Sequence, residues 1–145
     1  MMKLDPPDTK EVDYSQTCKN VANWFDTEYS KYQRLANIPV ISSVRLSLAP
    51  KGTASANSVE DMNVNRANAK QVLEFVDAIL DTLDDRYKTI IRALYIQGSQ
   101  NWQVAERLQY SRSRYDILKK EACALFAQTM DITAGTALTV YKDQE

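Results

Sequence analysis

An all-α fold is what this sequence predicts, on three observations. Apolar residues recur at spacings of three and four through the second half of the chain, the period of a helix with one buried face. All four prolines lie at or before Pro50, so none interrupts a helix beyond that point. Strand-like alternation is confined to residues 40–48, a short and loosely flanked stretch. With 145 residues the chain fits one domain with a small appendage, and the expected architecture is a helical bundle preceded by an N-terminal helix and a flexible linker.

The elements follow in order. Residues 1–13, MMKLDPPDTKEVD, join Pro-Pro to alternating charges with little apolar content, which predicts a disordered N-terminus. Over residues 14–37, Cys18, Val21, Ala22, Phe25, Tyr29, Tyr32 and Ala36 form the apolar stripe of an amphipathic helix that has to end before Pro39. That stripe is expected to pack on the body of the protein. Dimerisation or capture of a partner is the alternative, because residues 38–58, with two prolines and one glycine, read as a linker holding at most an edge strand.

Residues 59–130 are the regular part. Ala69, Val72, Leu73, Val76, Ile79, Leu80 and Leu83 give one uninterrupted stripe, and Asp84-Asp85 offers the N-cap of a second helix. Ile90, Ile91, Leu94 and Tyr95 form that helix's core face, and Gly98 ends it. Ser99 or Asn101 is expected to cap a short third helix from Trp102 to Leu108. Ser111 is expected to cap a fourth, with Tyr115, Leu118, Ala122 and Leu125 turned inward and Phe126 close behind. Beyond Met130 no helical stripe continues, so residues 131–145 read as a coil or short extended tail.

Composition narrows the chemistry. Histidine is absent, which removes the commonest general base and zinc ligand, and no Ser or Cys stands in a recognisable nucleophile setting. Glu60-Asp61 and Asp84-Asp85 are neighbours in sequence that do not face each other on a helix, and both fall where helix N-termini favour negative charge. No catalytic residue, cofactor or metal site is therefore expected, and an enzyme is disfavoured. Cys18 and Cys123 fit no metal-ligand spacing and read as reduced, buried thiols. Without an 18-residue apolar run or signal-peptide pattern, a soluble cytoplasmic protein with no membrane partner is expected.

Net charge is −1, but its distribution is uneven. Residues 1–85 carry 9 Lys+Arg against 13 Asp+Glu, a net of −4, whereas residues 86–145 carry 9 against 6, a net of +3. Inside 86–120 the balance is 8 basic to 2 acidic. This basic block coincides with two helices joined by a short turn, the helix-turn-helix pattern. Ala105 supplies the small side chain where the helices cross, Val104 and Leu108 the apolar face of the first, Tyr110 the plug of the turn, and Tyr115 and Leu118 the anchor of the second. Gln109 occupies the turn position often given to glycine, for which a positive φ is easy, so a slightly strained or altered turn is expected.

With Tyr115 and Leu118 inward, Ser113, Asp116, Ile117 and Lys120 fall on the outward face of the fourth helix, beside Ser111 and Arg112 at its start. These six are the candidate base-reading residues. Arg112 suits guanine O6 and N7, Ile117 suits a thymine methyl, and the helix N-terminus suits phosphate. Asp116 could accept from a cytosine amino group, although its i+4 spacing from Arg112 and to Lys120 favours an intrahelical ion-pair ladder. Arg114, Lys119, Arg107, Gln103, Asn101, Lys88 and Arg92 are the candidate phosphate contacts.

Residues 83–122, LDDRYKTIIRALYIQGSQNWQVAERLQYSRSRYDILKKEA, resemble region 4 of sigma factors, which binds the promoter −35 element. The likeness rests on Leu83, Arg86, Tyr87, Ile90-Ile91, Tyr95, Gly98, Val104-Ala105-Glu106, Leu108 and Ser111. Over residues 20–130 the chain is similar to the ArpU family of phage and prophage late-gene regulators from Gram-positive bacteria, through YSKYQRL, NSVED and KKEACALFAQ. The resemblance implies a sigma region 4-like bundle with a DNA-binding helix-turn-helix over 59–130. The function it implies is transcription regulation of phage packaging, structural or lysis genes. Double-stranded DNA at a promoter or operator is the implied partner, with RNA polymerase and a second copy in a homodimer as further candidates. Two other readings remain open at this point: a small terminase-like DNA-packaging component, and a protein-interaction module that retains the fold.

Overall fold

A computed structural model of the chain describes residues 11–37 and 55–142, with the backbone alone at 55–63. The candidate edge strand at 40–48 and residues 1–10 of the expected disordered start lie outside the described residues. Among those described, the chain is helical, with one isolated antiparallel bridge between Val12 and Tyr141. In chain order the helices are α1 (Tyr14–Trp24), a π turn π1 (Phe25–Tyr29), α2 (Ser30–Ala36), α3 (Ser55–Asp81), α4 (Asp85–Ile91), a second π turn π2 (Arg92–Ile96), α5 (Asn101–Leu108) and α6 (Arg112–Ala134). Helix α3 begins at Ser55, inside the stretch 38–58 that the sequence assigns to a linker.

These residues fall into two compact units. One is Thr27–Asp77, in which Tyr29, Ala36, Ala69 and Val76 are buried. The other joins Met1–Asp26 to Ala78–Glu145 and carries the candidate interface.

In this second unit short polar side chains start the helices where the chain leaves an extended conformation. The carboxylate of Asp13 accepts from the Gln16 amide at 3.1 Å, Asp84 from Arg86 at 2.9 Å, and the Ser111 hydroxyl from Arg114 at 3.1 Å. Helix α5 departs from the expected pattern: its N-cap is Gln100, not Ser99 or Asn101. Gln103 reaches back to take the Gln100 amide at 2.8 Å, so a side chain one turn on does what a short cap residue would do. Gly98, at φ 78°, ends the preceding turn as expected, and the Ser99 amide closes it on the Ala93 carbonyl at 2.8 Å.

The core lies where α1 and α4 pack on α6. Val21, Leu80, Ile90, Ile91, Val104, Leu118, Ala122, Cys123, Phe126 and Ala127 are buried, with Phe25, Tyr115 and Met130 nearly so. Phe25 stacks on Tyr95 with ring centroids 5.4 Å apart and planes 10° apart, and Phe126 tilts against Phe25 at 5.2 Å and Trp24 at 6.2 Å. Both rings of the stacked pair sit in π turns, Phe25 in π1 and Tyr95 in π2.

Three expectations need correction here. Leu125 is 39% exposed and Phe126 is fully buried, so the inward face of α6 passes through Phe126. The two are consecutive, about 100° apart on the helix, and the aromatic rings of Trp24 and Phe25 meet Phe126. Residues 11–13 are ordered, because Val12 is buried against Tyr141 while the Asp13 amide donates to Val140 O at 2.8 Å and Lys142 N to Glu11 O at 2.7 Å. Finally, α6 runs on to Ala134 and stops at Gly135, whose φ of 74° suits a glycine C-cap, and the tail after it is pinned. The Asp131 carboxylate accepts from Thr136 Oγ1 (2.6 Å), Leu138 N (2.8 Å) and Thr139 N (2.9 Å), and Asn20 Nδ2 donates to Leu138 O at 3.0 Å. Thr17, wholly buried, takes the Val140 amide at 3.0 Å.

Candidate nucleic-acid interface

Helix α5 and helix α6 are joined through Gln109, Tyr110 and Ser111. Gln109 adopts the left-handed conformation (φ 61°, ψ 40°), so of a strained or an altered turn the chain takes the strained one. The Tyr110 amide then returns to the Ala105 carbonyl at 3.0 Å, and Ser111 opens α6. Val104, Tyr115 and Leu118 share one buried cluster with Ile90 and Ala93, against which Ala105, Leu108 and Tyr110 are packed. The six side chains chosen from the sequence to hold this corner together are therefore all in it.

Two phenols lock the corner to its neighbours. Tyr115 donates to Asn101 Oδ1 at 2.8 Å, tying the first turn of α6 to the first turn of α5, and burial pushes its pKa up to about 12. Tyr87 donates to Glu121 Oε1 at 2.6 Å, joining α4 to α6, and that bond holds its pKa above the ordinary value. Both remain protonated donors near neutral pH.

All six candidate base-reading residues, Ser111, Arg112, Ser113, Asp116, Ile117 and Lys120, are exposed. Ile117 is 48% exposed, an apolar side chain presented outward among these polar ones. Among the described residues no ion pair reaches Arg112 or Arg114. Asp116 is engaged instead with Lys120 at 3.2 Å, the i,i+4 ladder that its spacing favours. The Ser111 hydroxyl accepts from Arg114 N and so still has its own proton to donate.

The candidate phosphate contacts divide into two groups. Arg107, Arg114, Asn101 and Gln103 are exposed on α5 and the start of α6, and Lys119 is half-buried beside them. Asn101 and Gln103 have their oxygens occupied, which leaves their amide N–H groups as the outward donors. Arg107 touches Ser99 Oγ at 3.5 Å. Lys88 and Arg92 are different: Lys88 lies 3.4 Å from Asp81 and 3.6 Å from Asp85, and Arg92 lies 3.5 Å from Asp81. Their charge is largely met within the chain.

Sequence reading passed over Trp102. It is 62% exposed and stands at the edge of a groove of about 800 Å³ between α5 and α6, lined also by Ala105, Glu106, Tyr110, Arg112, Asp116 and Lys119. The signal was present: Trp102 lies about 200° around the helix from Val104, off the buried stripe. A large aromatic in that position faces water unless a partner covers it.

Residues 53–126, slightly more than half of the chain, match the family described as "Protein of unknown function (DUF1492)". The chain belongs to this family. The matched stretch contains all the interface residues named above and leaves out α1, π1, α2 and the pinned tail. No curated protein and no solved structure matches the chain. Among the described residues no helix is long and apolar enough to cross a membrane.

Proposed function

We propose that this chain is a sequence-specific, double-stranded-DNA-binding transcription regulator, acting in the cytoplasm of a bacterial host on late genes of a phage or prophage. In this reading the corner of α5 and α6 is a sigma region 4-like helix-turn-helix, and the N-terminal half of α6 lies in the major groove. The observation that carries the reading is the first turn of α6. Its Arg112 and Arg114 extend into solvent without an intramolecular counter-charge, on a helix start fixed by the Ser111 cap and the Tyr115–Asn101 bond. Arginine on a rigid helix N-terminus matches both guanine edges and phosphate. The late-gene assignment rests on the resemblance to ArpU regulators in YSKYQRL, NSVED and KKEACALFAQ.

Selection of bound duplexes from a random pool, with the mass of the complex measured, tests this directly. A single enriched motif bound by a monomer or dimer is expected. A ring-shaped assembly without a motif would turn the reading towards DNA packaging. Trp102 favours a second role for the same corner: an exposed indole in a groove lined by Ala105 and Tyr110 suits a protein surface such as that of RNA polymerase. Trp102→Ala should then lower transcription from the selected promoter while leaving duplex affinity within about twofold.

A further inference from the structure

Besides the groove between α5 and α6, a smaller one of about 510 Å³ lies where π2 and the turn after it meet the start of α5, with Arg112 and Lys119 of α6 among its lining residues. That volume is in the range of small-ligand sites. Leu94 and Tyr95 supply its apolar surface. Tyr95 is fixed there, because its ring stacks on Phe25 at 5.4 Å and its hydroxyl lies 3.5 Å from Sγ of Cys123. Of the two free thiols Cys123 is buried, whereas Cys18, expected to be buried as well, is only half-buried. Trp102 lines the same groove, 62% exposed, with its indole N–H held on Gln100 Oε1 at 3.2 Å.

Charge separates the two grooves. The larger carries Glu106 and Asp116 beside Arg112 and Lys119, whereas among the described residues that line the smaller there is no carboxylate. Arg112 and Lys119 bring two positive charges to it, and among the described residues no ion pair reaches either. Its polar side chains face it as donors. Ser99 Oγ accepts from Arg107 and keeps its own proton, while the side-chain oxygens of Gln100 and Asn101 are engaged by Trp102 and Tyr115, which leaves their amide N–H groups. An exposed indole, two unpaired cations and a set of donors suit a ligand that is flat, anionic and rich in acceptors.

We propose that this smaller groove binds a nucleoside monophosphate, with the base laid on Trp102 and the phosphate held by Arg112 and Lys119. Every base has a π face, so an indole is a stacking platform for any of them. A guanidinium grips phosphate through its planar fork, and an ammonium adds a point charge. Two cations match a phosphate monoester, which carries close to two negative charges at neutral pH. Arg112 and Lys119 are also residues offered to duplex DNA, so bound nucleotide and duplex exclude each other. That consequence, unlike the site itself, rests on the DNA reading above.

The test titrates the full-length protein with AMP, GMP and inorganic phosphate, read by calorimetry and by the indole N–H signals of its two tryptophans. The nucleotides are expected to saturate one site and to move the Trp102 signal, while that of Trp24, packed on Phe25 and Phe126, stays in place. Inorganic phosphate should bind on the order of tenfold more weakly for want of a stacked base, and Trp102→Ala should weaken nucleotide binding by a similar factor. Arg112→Ala should weaken nucleotide and phosphate alike. A Trp102 signal that does not move, phosphate bound as tightly as the nucleotides, or undiminished binding in Trp102→Ala would overturn the proposal. So would a single-stranded oligonucleotide that binds where both mononucleotides fail, since it assigns the groove to an unpaired strand. In a second arm, saturating nucleotide should release a bound duplex, followed by fluorescence anisotropy. Nucleotide binding without release would overturn the competition, and failure to bind any duplex would sink the DNA reading while the calorimetry still decides the site.

Discussion

Gln109 holds the least favourable backbone conformation among the interface residues, and the cost can be weighed. An L-residue in the left-handed region loses about 1–2 kcal/mol, while replacing it by glycine returns about 0.4–1 kcal/mol of that through the greater freedom of the unfolded chain. Gln109→Gly is therefore expected to raise stability by about 0.5–1 kcal/mol, seen as a higher urea midpoint with an unchanged slope. A lower midpoint would mean that the Gln109 side chain contributes more than its strain costs. Arg112 belongs to the same scale. If it reads a base, Arg112→Ala should cost on the order of 1–3 kcal/mol at one or two base pairs and relax preference there, whereas Arg107→Ala should weaken all duplexes alike. Uniform loss from Arg112→Ala would assign it to phosphate. Lys88→Ala should scarcely change affinity, because Asp81 and Asp85 already face that ammonium.

At the scale of elements, the boundaries at Asp84, Gly98 and Ser111 were legible because each is decided by backbone groups two to six residues away, whereas the α5 cap was not, because Gln100 is completed by the side chain of Gln103. Register was legible only while local. Tyr115, Leu118 and Ala122 follow one stripe, but the choice between Leu125 and Phe126 is made by Trp24 and Phe25, about a hundred residues distant in sequence. Truncation reads that choice out: Phe126→Ala should cost about 3–5 kcal/mol, and Leu125→Ala well under half of that. The tail was illegible for a related reason, since what orders it is one carboxylate. Burial alone would raise the Asp131 pKa, but hydrogen bonds from Thr136, Leu138 and Thr139 outweigh it and hold the group below its ordinary value of 3.8. A depressed folded pKa means the stabilisation is complete above that ordinary value and is lost as pH falls through the lower one. Asp131→Asn, which keeps one acceptor oxygen in a partly hydrated site, should cost about 1–2 kcal/mol at neutral pH. The difference from wild type should shrink below pH 3.8, with earlier amide exchange at Leu138 and Val140 in the variant. A pH-independent difference would remove the charge from the explanation.

At the scale of the whole molecule, a net charge of −1 hides a basic block, and counterion release counts how much of that block a polyanion meets. Leaving aside Arg86, which is paired with Asp84, the basic block offers seven cations to DNA: Arg107, Arg112, Arg114, Lys119, Lys120, Lys88 and Arg92. Were all of them to neutralise phosphates, log K would fall with log salt at a slope of about −6 per protomer. The structure sets three of them aside, since Lys120 is paired with Asp116, Lys88 with Asp81 and Asp85, and Arg92 with Asp81. Four remain, which gives a slope of about −3.6 per protomer. Fluorescence anisotropy on the selected duplex between 50 and 300 mM salt (roughly the range over which such slopes are linear) should return the smaller value once divided by the protomers counted in the complex. A slope near −6 would show that the ion pairs of Asp81 and Asp116 open on DNA. Disrupting Asp81 by Asp81→Asn would then leave that slope unchanged, whereas in a complex that keeps the pairs closed the same substitution should steepen it by about one to two phosphates.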